Sequence, residues 1–162
     1  MTNVQRLSAA LAGVGLLLMA VLAGYANLGI IEHAAESTPR KLDLAAVLMG
    51  VVALLDVLVA VSVWGLFRAE SRRGAEVSAL LRGAYAVLLA AAAYRLLFAT
   101  GEGPVRARAF QAVFAPSLGL FGLHLVAIAW PVATTSFAGP WLRRILALAL
   151  AVCGLGYVID AA

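Results

Sequence analysis

Five ionisable residues fall inside long apolar runs: Asp56, Arg82, Arg95, His124 and Asp160. Their types allow definite chemistry. A carboxylate beside an imidazole, Asp56 beside His124, can pass a proton or hold a cation, because imidazole titrates near neutrality. A guanidinium beside a carboxylate, Arg95 beside Asp160, makes a charge-assisted pair. An ionised side chain in lipid costs roughly 2.5–3.5 kcal/mol even on the gentlest insertion scale, so such groups are expected to face protein and find partners. Two readings stand. The residues either mark a proton, ion or ligand path, or act as polar glue between helices. Short loops and a small chain favour glue. Arg82 is expected to snorkel to the headgroups, its stem apolar and its head in water.

Other chemistry is sparse. The sequence has no nucleophile elbow, no phosphate-binding glycine loop and no zincin motif. Ser62, Ser117 and Thr100 lie in or near apolar runs, where a hydroxyl usually bonds its own helix backbone. His33 and His124 are expected about 20 Å apart in depth, too far for one bis-histidine haem. A single-histidine pigment or haem site stays open, so the cofactor is unknown. Glu32, His33 and Glu36 offer oxygen and nitrogen ligands for a surface metal, but solvated acidic loops are commoner; no metal site is expected. The lone Cys153 excludes an intrachain disulfide and reads as a small buried side chain.

The elements that must position these residues follow from composition. The chain has 162 residues, 64% of them hydrophobic and 12% charged, with a mean hydropathy of +1.01. Soluble domains are closer to half apolar and twice as charged. A soluble core of this size cannot hide so much apolar surface. The expected class is therefore all-α, an integral membrane bundle, because helices satisfy their own backbone groups in lipid. About 20 apolar residues cross a bilayer, and five runs qualify: 7–31, 43–68, 78–100, 109–133 and 142–161. They form one transmembrane domain over 1–162. The run after Arg6 is longer than a signal-peptide core, so it reads as an uncleaved first span.

Punctuation separates the runs. "ESTPRKLD" offers Pro39 as a stop and Asp43 as an N-cap. "ESRRGAEVS" offers Ser78 or Glu76 as the next start. Pro140 suits a first helical turn, and Pro116 and Pro131 can bend the fourth helix. Short loops make successive helices antiparallel neighbours. Small residues, among them Gly15, Gly119, Gly122, Gly154 and Gly156, mark close helix approach, within the chain or to another copy.

Direction follows from the basic residues. Arg6, Arg68, Arg72, Arg73, Arg82, Arg143 and Arg144 fall on one side; Arg40, Lys41, Arg106 and Arg108 fall on the other. The majority side is expected in the cytoplasm, with the N-terminus inside and the C-terminus outside. Trp64, Trp130 and Trp141 fall near the same ends, as an interfacial belt requires. The net charge of +4 lies in these flanking anchors and not in a stripe, so nucleic acid is not an expected partner. Counted from the cytoplasmic ends, Asp56 and His124 lie about 12 and 9 residues deep, Arg95 and Asp160 about 17 and 18, and Arg82 about 4; the first two therefore differ by about 5 Å.

Three stretches together carry a family likeness: "GVVALLDVLVAVSVWGLFR" from Gly50, "SALLRGAYAVLLA" from Ser78, and "LGLFGLHLVAIAW" followed by "WLRRILALALAVCGLGYVIDAA". They resemble the uncharacterised bacterial membrane proteins of the domain-of-unknown-function family numbered 4386. In that family an aspartate sits within one span, an arginine opens the next, and a "GLHL"-like and a closing "GLGYLxD"-like step follow. The matching positions are Asp56, Arg82, Gly122 to Leu125, and Gly154 to Asp160, over residues 43 to 161. Members generally have a larger first external segment and more chain after the final aspartate; this sequence has neither. The resemblance implies a multi-pass helical fold and no particular chemistry.

For function, the expectation is a non-enzymatic subunit of the cytoplasmic membrane: an accessory or assembly factor, or a lipid- or ligand-binding scaffold. Its partners would be the lipid bilayer and a second copy or a larger membrane complex. The alternative is a small proton- or ion-coupled transporter or channel using Asp56, His124, Arg95 and Asp160. An intramembrane enzyme comes last, for want of a nucleophile.

Overall fold

In the computed structural model the described residues are 3–135 and 139–162. Among them the chain forms five long helices: α1 (Asn3–Ala26), α2 (Pro39–Phe67), α3 (Arg72–Phe98), α4 (Gly103–Thr134) and α5 (Pro140–Asp160). No strand occurs among the described residues. A π-helical turn, Asn27–Ile31, prolongs α1. All five are long and apolar enough to cross a membrane, which makes the chain an integral multi-pass protein by length and composition.

The apolar runs are where they were expected, but all five helices start before them. Thr38 caps α2: its hydroxyl accepts from the Lys41 N–H, and Pro39 opens the first turn. Pro39 is thus a start and not a stop, and Asp43 lies inside the helix. The α3 helix begins at Arg72, six residues before Ser78, and α4 begins at Gly103. The reason is physical. Apolar content marks the part that crosses hydrocarbon, whereas backbone hydrogen bonding continues through polar interfacial turns. Pro140 does open α5. The α4 helix runs through both Pro116 and Pro131.

Tight turns make neighbours of successive helices, α1 with α2, α2 with α3, α3 with α4, and α4 with α5, with a minor contact between α2 and α4. Gly101 has φ +124° in the α3–α4 turn, a backbone state that side-chain-bearing residues avoid. The result is a row folded around α2 and α3, which contribute Met49, Val59, Leu89 and Leu96 to the core. The outer members α1 and α5 keep most of their apolar side chains exposed, as lipid contact allows.

Small residues set the closest approach. A Cβ on Gly122 would lie 2.5 Å from the Gly154 carbonyl oxygen, and one on Gly154 would lie 2.6 Å from that of Gly122. These two glycines let α4 and α5 cross backbone to backbone. Gly15 similarly receives Val59 of α2. The approaching helix is internal at these three positions, while Gly13, Gly24 and Gly156 have open space beside them. At the α2–α3 turn end, Gly74 makes room for the Pro131 ring, tying the start of α3 to the end of α4.

Candidate functional site: a buried polar cluster around Arg82

One face of α3 presents Ser78, Arg82, Tyr85 and Leu89 to the interior; spacings of three and four residues put them on one stripe. Arg82 lies ten residues from the Arg72 start of α3. Asp56 lies eleven from the Phe67 end of α2, and His124 ten from the Thr134 end of α4. All three therefore sit about 15 Å from the same end of the bundle. Ser78, Asp56, His124 and Arg82 are 0%, 0%, 1% and 3% exposed.

The guanidinium is the centre. Its Nη2 lies 2.7 Å from Asp56 Oδ1 and 3.9 Å from Met19 Sδ of α1. Its Nη1 lies 3.1 Å from His124 Nε2. Its Cζ stands 5.6 Å from the centre of the Phe121 ring, a cation–π arrangement. Phe121 in turn packs on Tyr85 and meets Tyr157 of α5 edge-on. Four helices thus touch Arg82 or carry it, and the fifth reaches it through one ring.

These contacts fix the protonation of His124. A guanidinium has donors and no acceptor, so Nε2 must accept from Arg82. The ring proton is then on Nδ1, which donates to the Ser78 carbonyl at 2.9 Å, with Ser78 Oγ at the same distance. A ring protonated at both nitrogens would point an N–H at Arg82. The histidine is neutral and locked in one tautomer. With Asp56 and Arg82 opposed in charge, the cluster carries no net charge. The Asp56 contact is close but not aligned as a hydrogen bond. Both carboxylate oxygens, and Arg82 Nε, are buried without a hydrogen-bond partner.

This geometry also disposes of a tempting constellation. Ser78, His124 and Asp56 are the types of a nucleophilic triad, but the roles are not filled. In a triad the imidazole accepts from the serine and donates to the carboxylate. Here the nitrogen facing Ser78 carries the proton, and the other faces a cation.

The depth coincidence of Asp56 and His124 places them in one cluster, but they do not meet. Arg82 stands between them. Arg82 does not snorkel: with α3 starting at Arg72 it is ten residues deep, and it is buried. Arg95 and Asp160 are both exposed and form no ion pair. They share an end of the bundle, but α4 separates α3 from α5. Arg95 borders a depression of about 290 Å³ with Tyr94 and Phe98, and Asp160 one of about 380 Å³ with Cys153 and Tyr157. Cys153 is exposed and not buried. Glu32, His33 and Glu36 form no group able to hold a metal; His33 Nδ1 lies 3.0 Å from the Leu28 carbonyl oxygen instead.

A second arginine centre escaped the sequence reading. Arg106, in the first turn of α4, is 7% exposed. Its Nε donates to the Leu96 carbonyl at 2.8 Å and its Nη2 to Asp43 Oδ1 at 2.6 Å. It closes the last turn of α3 and pins it to the first turns of α2. The available signal was an unpaired Asp43 and an arginine at the same end, beside a helix C-terminus whose carbonyls need donors.

Comparison with known proteins returns no matching family, no matching curated protein and no matching solved structure.

Proposed function

We propose that this chain is a non-enzymatic subunit of the cytoplasmic membrane, an accessory or assembly component whose interior is a polar lock. The observation that carries this reading is the Arg82 cluster. Its members are shielded from solvent, neutral as a set and spread over α1 to α4. The histidine that would have to relay a proton is held in one tautomer by a permanent cation. Exposed apolar faces on α1 and α5 are where a partner chain or lipid would lie. The majority of basic residues at the α2–α3 turn end supports a cytoplasmic N-terminus. The likeness to the family numbered 4386 belongs to the same proposal, because Asp56, Arg82 and the "GLHL" step are residues of the cluster.

The test is a pair of measurements. Native purification in mild detergent should recover the chain with a stoichiometric partner. Liposomes holding the purified chain should show the proton leak of empty liposomes, read with an internal pH dye.

A second reading, a small proton- or ion-coupled transporter, is favoured by the unsatisfied Asp56 oxygens. Buried polar atoms without partners mark places where water or an ion enters. A pH-dependent flux that disappears in Asp56→Asn would replace the first reading with this one.

A further inference from the structure

Between α2 and α3 runs a groove of about 440 Å³. Val57, Ala60, Val61 and Trp64 line one wall, and Ala79, Leu80 and Gly83 the other, with Glu76 at one end. The groove exists because its floor is made of small residues: a Cβ on Gly83 would find nothing within 4 Å. Val57 to Trp64 spans seven residues, about 10 Å of helix. The volume is in the range of real ligand sites.

The lining is apolar apart from Glu76, and the arginines stand outside it, at the α2–α3 turn. Arg68 stacks over Trp64, its Cζ 4.5 Å from the ring centre. Arg72 pairs with Glu76 at 2.8 Å, which leaves Arg68 and Arg73 to face the water boundary, both exposed. Glu70 lies in the same turn, so arginines outnumber carboxylates there by three to two. A cleft with an apolar run and a cationic mouth fits a molecule with an apolar run and an anionic end. A partner helix would need a carboxylate of its own at this level to meet Arg68 and Arg73.

We propose that this groove holds an acyl chain of an anionic phospholipid from the leaflet at the α2–α3 turn, with the phosphate on Arg68 and Arg73. The inference is independent of the accessory reading and of the Arg82 cluster. Small side chains at 60, 79 and 83 admit the chain, and Trp64 closes over it near the headgroup.

Trp64 is also the reporter. In a Trp130→Phe, Trp141→Phe background, Trp64 is the remaining tryptophan of the three. The full chain is placed in bilayers doped with brominated phosphatidylglycerol or, separately, brominated phosphatidylcholine, and quenching is followed against mole fraction. The anionic lipid should reach half-quenching at about fivefold lower mole fraction for each arginine engaged. Changing Arg68→Gln and Arg73→Gln together should bring the two lipids to the same midpoint. Gly83→Leu, which fills the groove and improves helix propensity, should weaken quenching by both lipids while circular dichroism stays unchanged. Equal midpoints for the two lipids in the unaltered arginine background would overturn the proposal, leaving only a lipid-coated surface. Absence of quenching by either lipid would also overturn it, and would mean that a second copy or another protein covers the groove.

Discussion

Arg82 and Arg106 are both buried arginines, each facing an aspartate of α2, yet they are held in opposite ways. Arg106 sits at a bundle end. Its donors go to carbonyls that the end of α3 leaves open and to Asp43, whose side chain is half exposed. Arg82 sits about 15 Å from the nearer end and faces a carboxylate that is 1% exposed. It compensates charge but leaves acceptors on Asp56 without hydrogen bonds. The first arginine completes a backbone and the second neutralises an interior. Solvent borders Asp43 at the end and can stand in for a lost partner there, whereas Asp56 and Arg82 are buried on every side.

The comparison breaks most visibly at Asp56. Asp56→Ala leaves the Arg82 cation buried alone and should cost about 3–5 kcal/mol, seen as a lower midpoint in denaturing-detergent titration. Asp56→Leu with Arg82→Met removes both charges and should recover most of that loss. A double change as damaging as the sum of the two single ones would end the idea of a lock. Next comes Arg106→Ala, which strands the Leu96 carbonyl. Because Asp43 can turn to solvent, the loss should be about 1–3 kcal/mol and confined to amide exchange near the α3–α4 turn. A global effect equal to that of Asp56→Ala would erase the distinction between the two sites.

His124 sharpens the comparison without a large stability change. Nitrogen-15 spectra of the ring should show a neutral imidazole with its proton on Nδ1; a proton on Nε2 would contradict the contact with Arg82. Smallest of all is the third arginine. Arg95→Ala and Asp160→Ala should each stay within about 0.5 kcal/mol and add independently, as exposed sites without shared partners do.

The same residues show what could be read from sequence. Five helices were legible because each carries an apolar run long enough to cross lipid, and Asp56 and His124 were legible as neighbours in depth. Arg82 was misplaced because depth was counted from Ser78. The true start at Arg72 lies six residues earlier, about 9 Å of helix, which separates a snorkelling side chain from a central one. The Arg95–Asp160 pair failed for another reason. Depth is one coordinate, and lateral order is the other. Short loops already implied that α4 stands between α3 and α5, so matched depth had no contact to support. Ser78 had no signal of its own beyond standing one turn before Arg82.

The row arrangement has a consequence for how the molecule is made. Contacts join each helix chiefly to the one before it, so the fold has low sequence separation between partners, the topology that forms fastest. Every charged member of the Arg82 cluster, and Met19 and Ser78 with it, precedes α5 in the chain. During synthesis, which proceeds from the N-terminus and lets early parts fold first, the interior charges can be matched while the last helix is still being made. The α5 helix, with Gly154 its single buried residue, then closes against α4 as a final step. A chain caught before that step already has its ion pair and offers the Gly122 notch of α4 as an open edge.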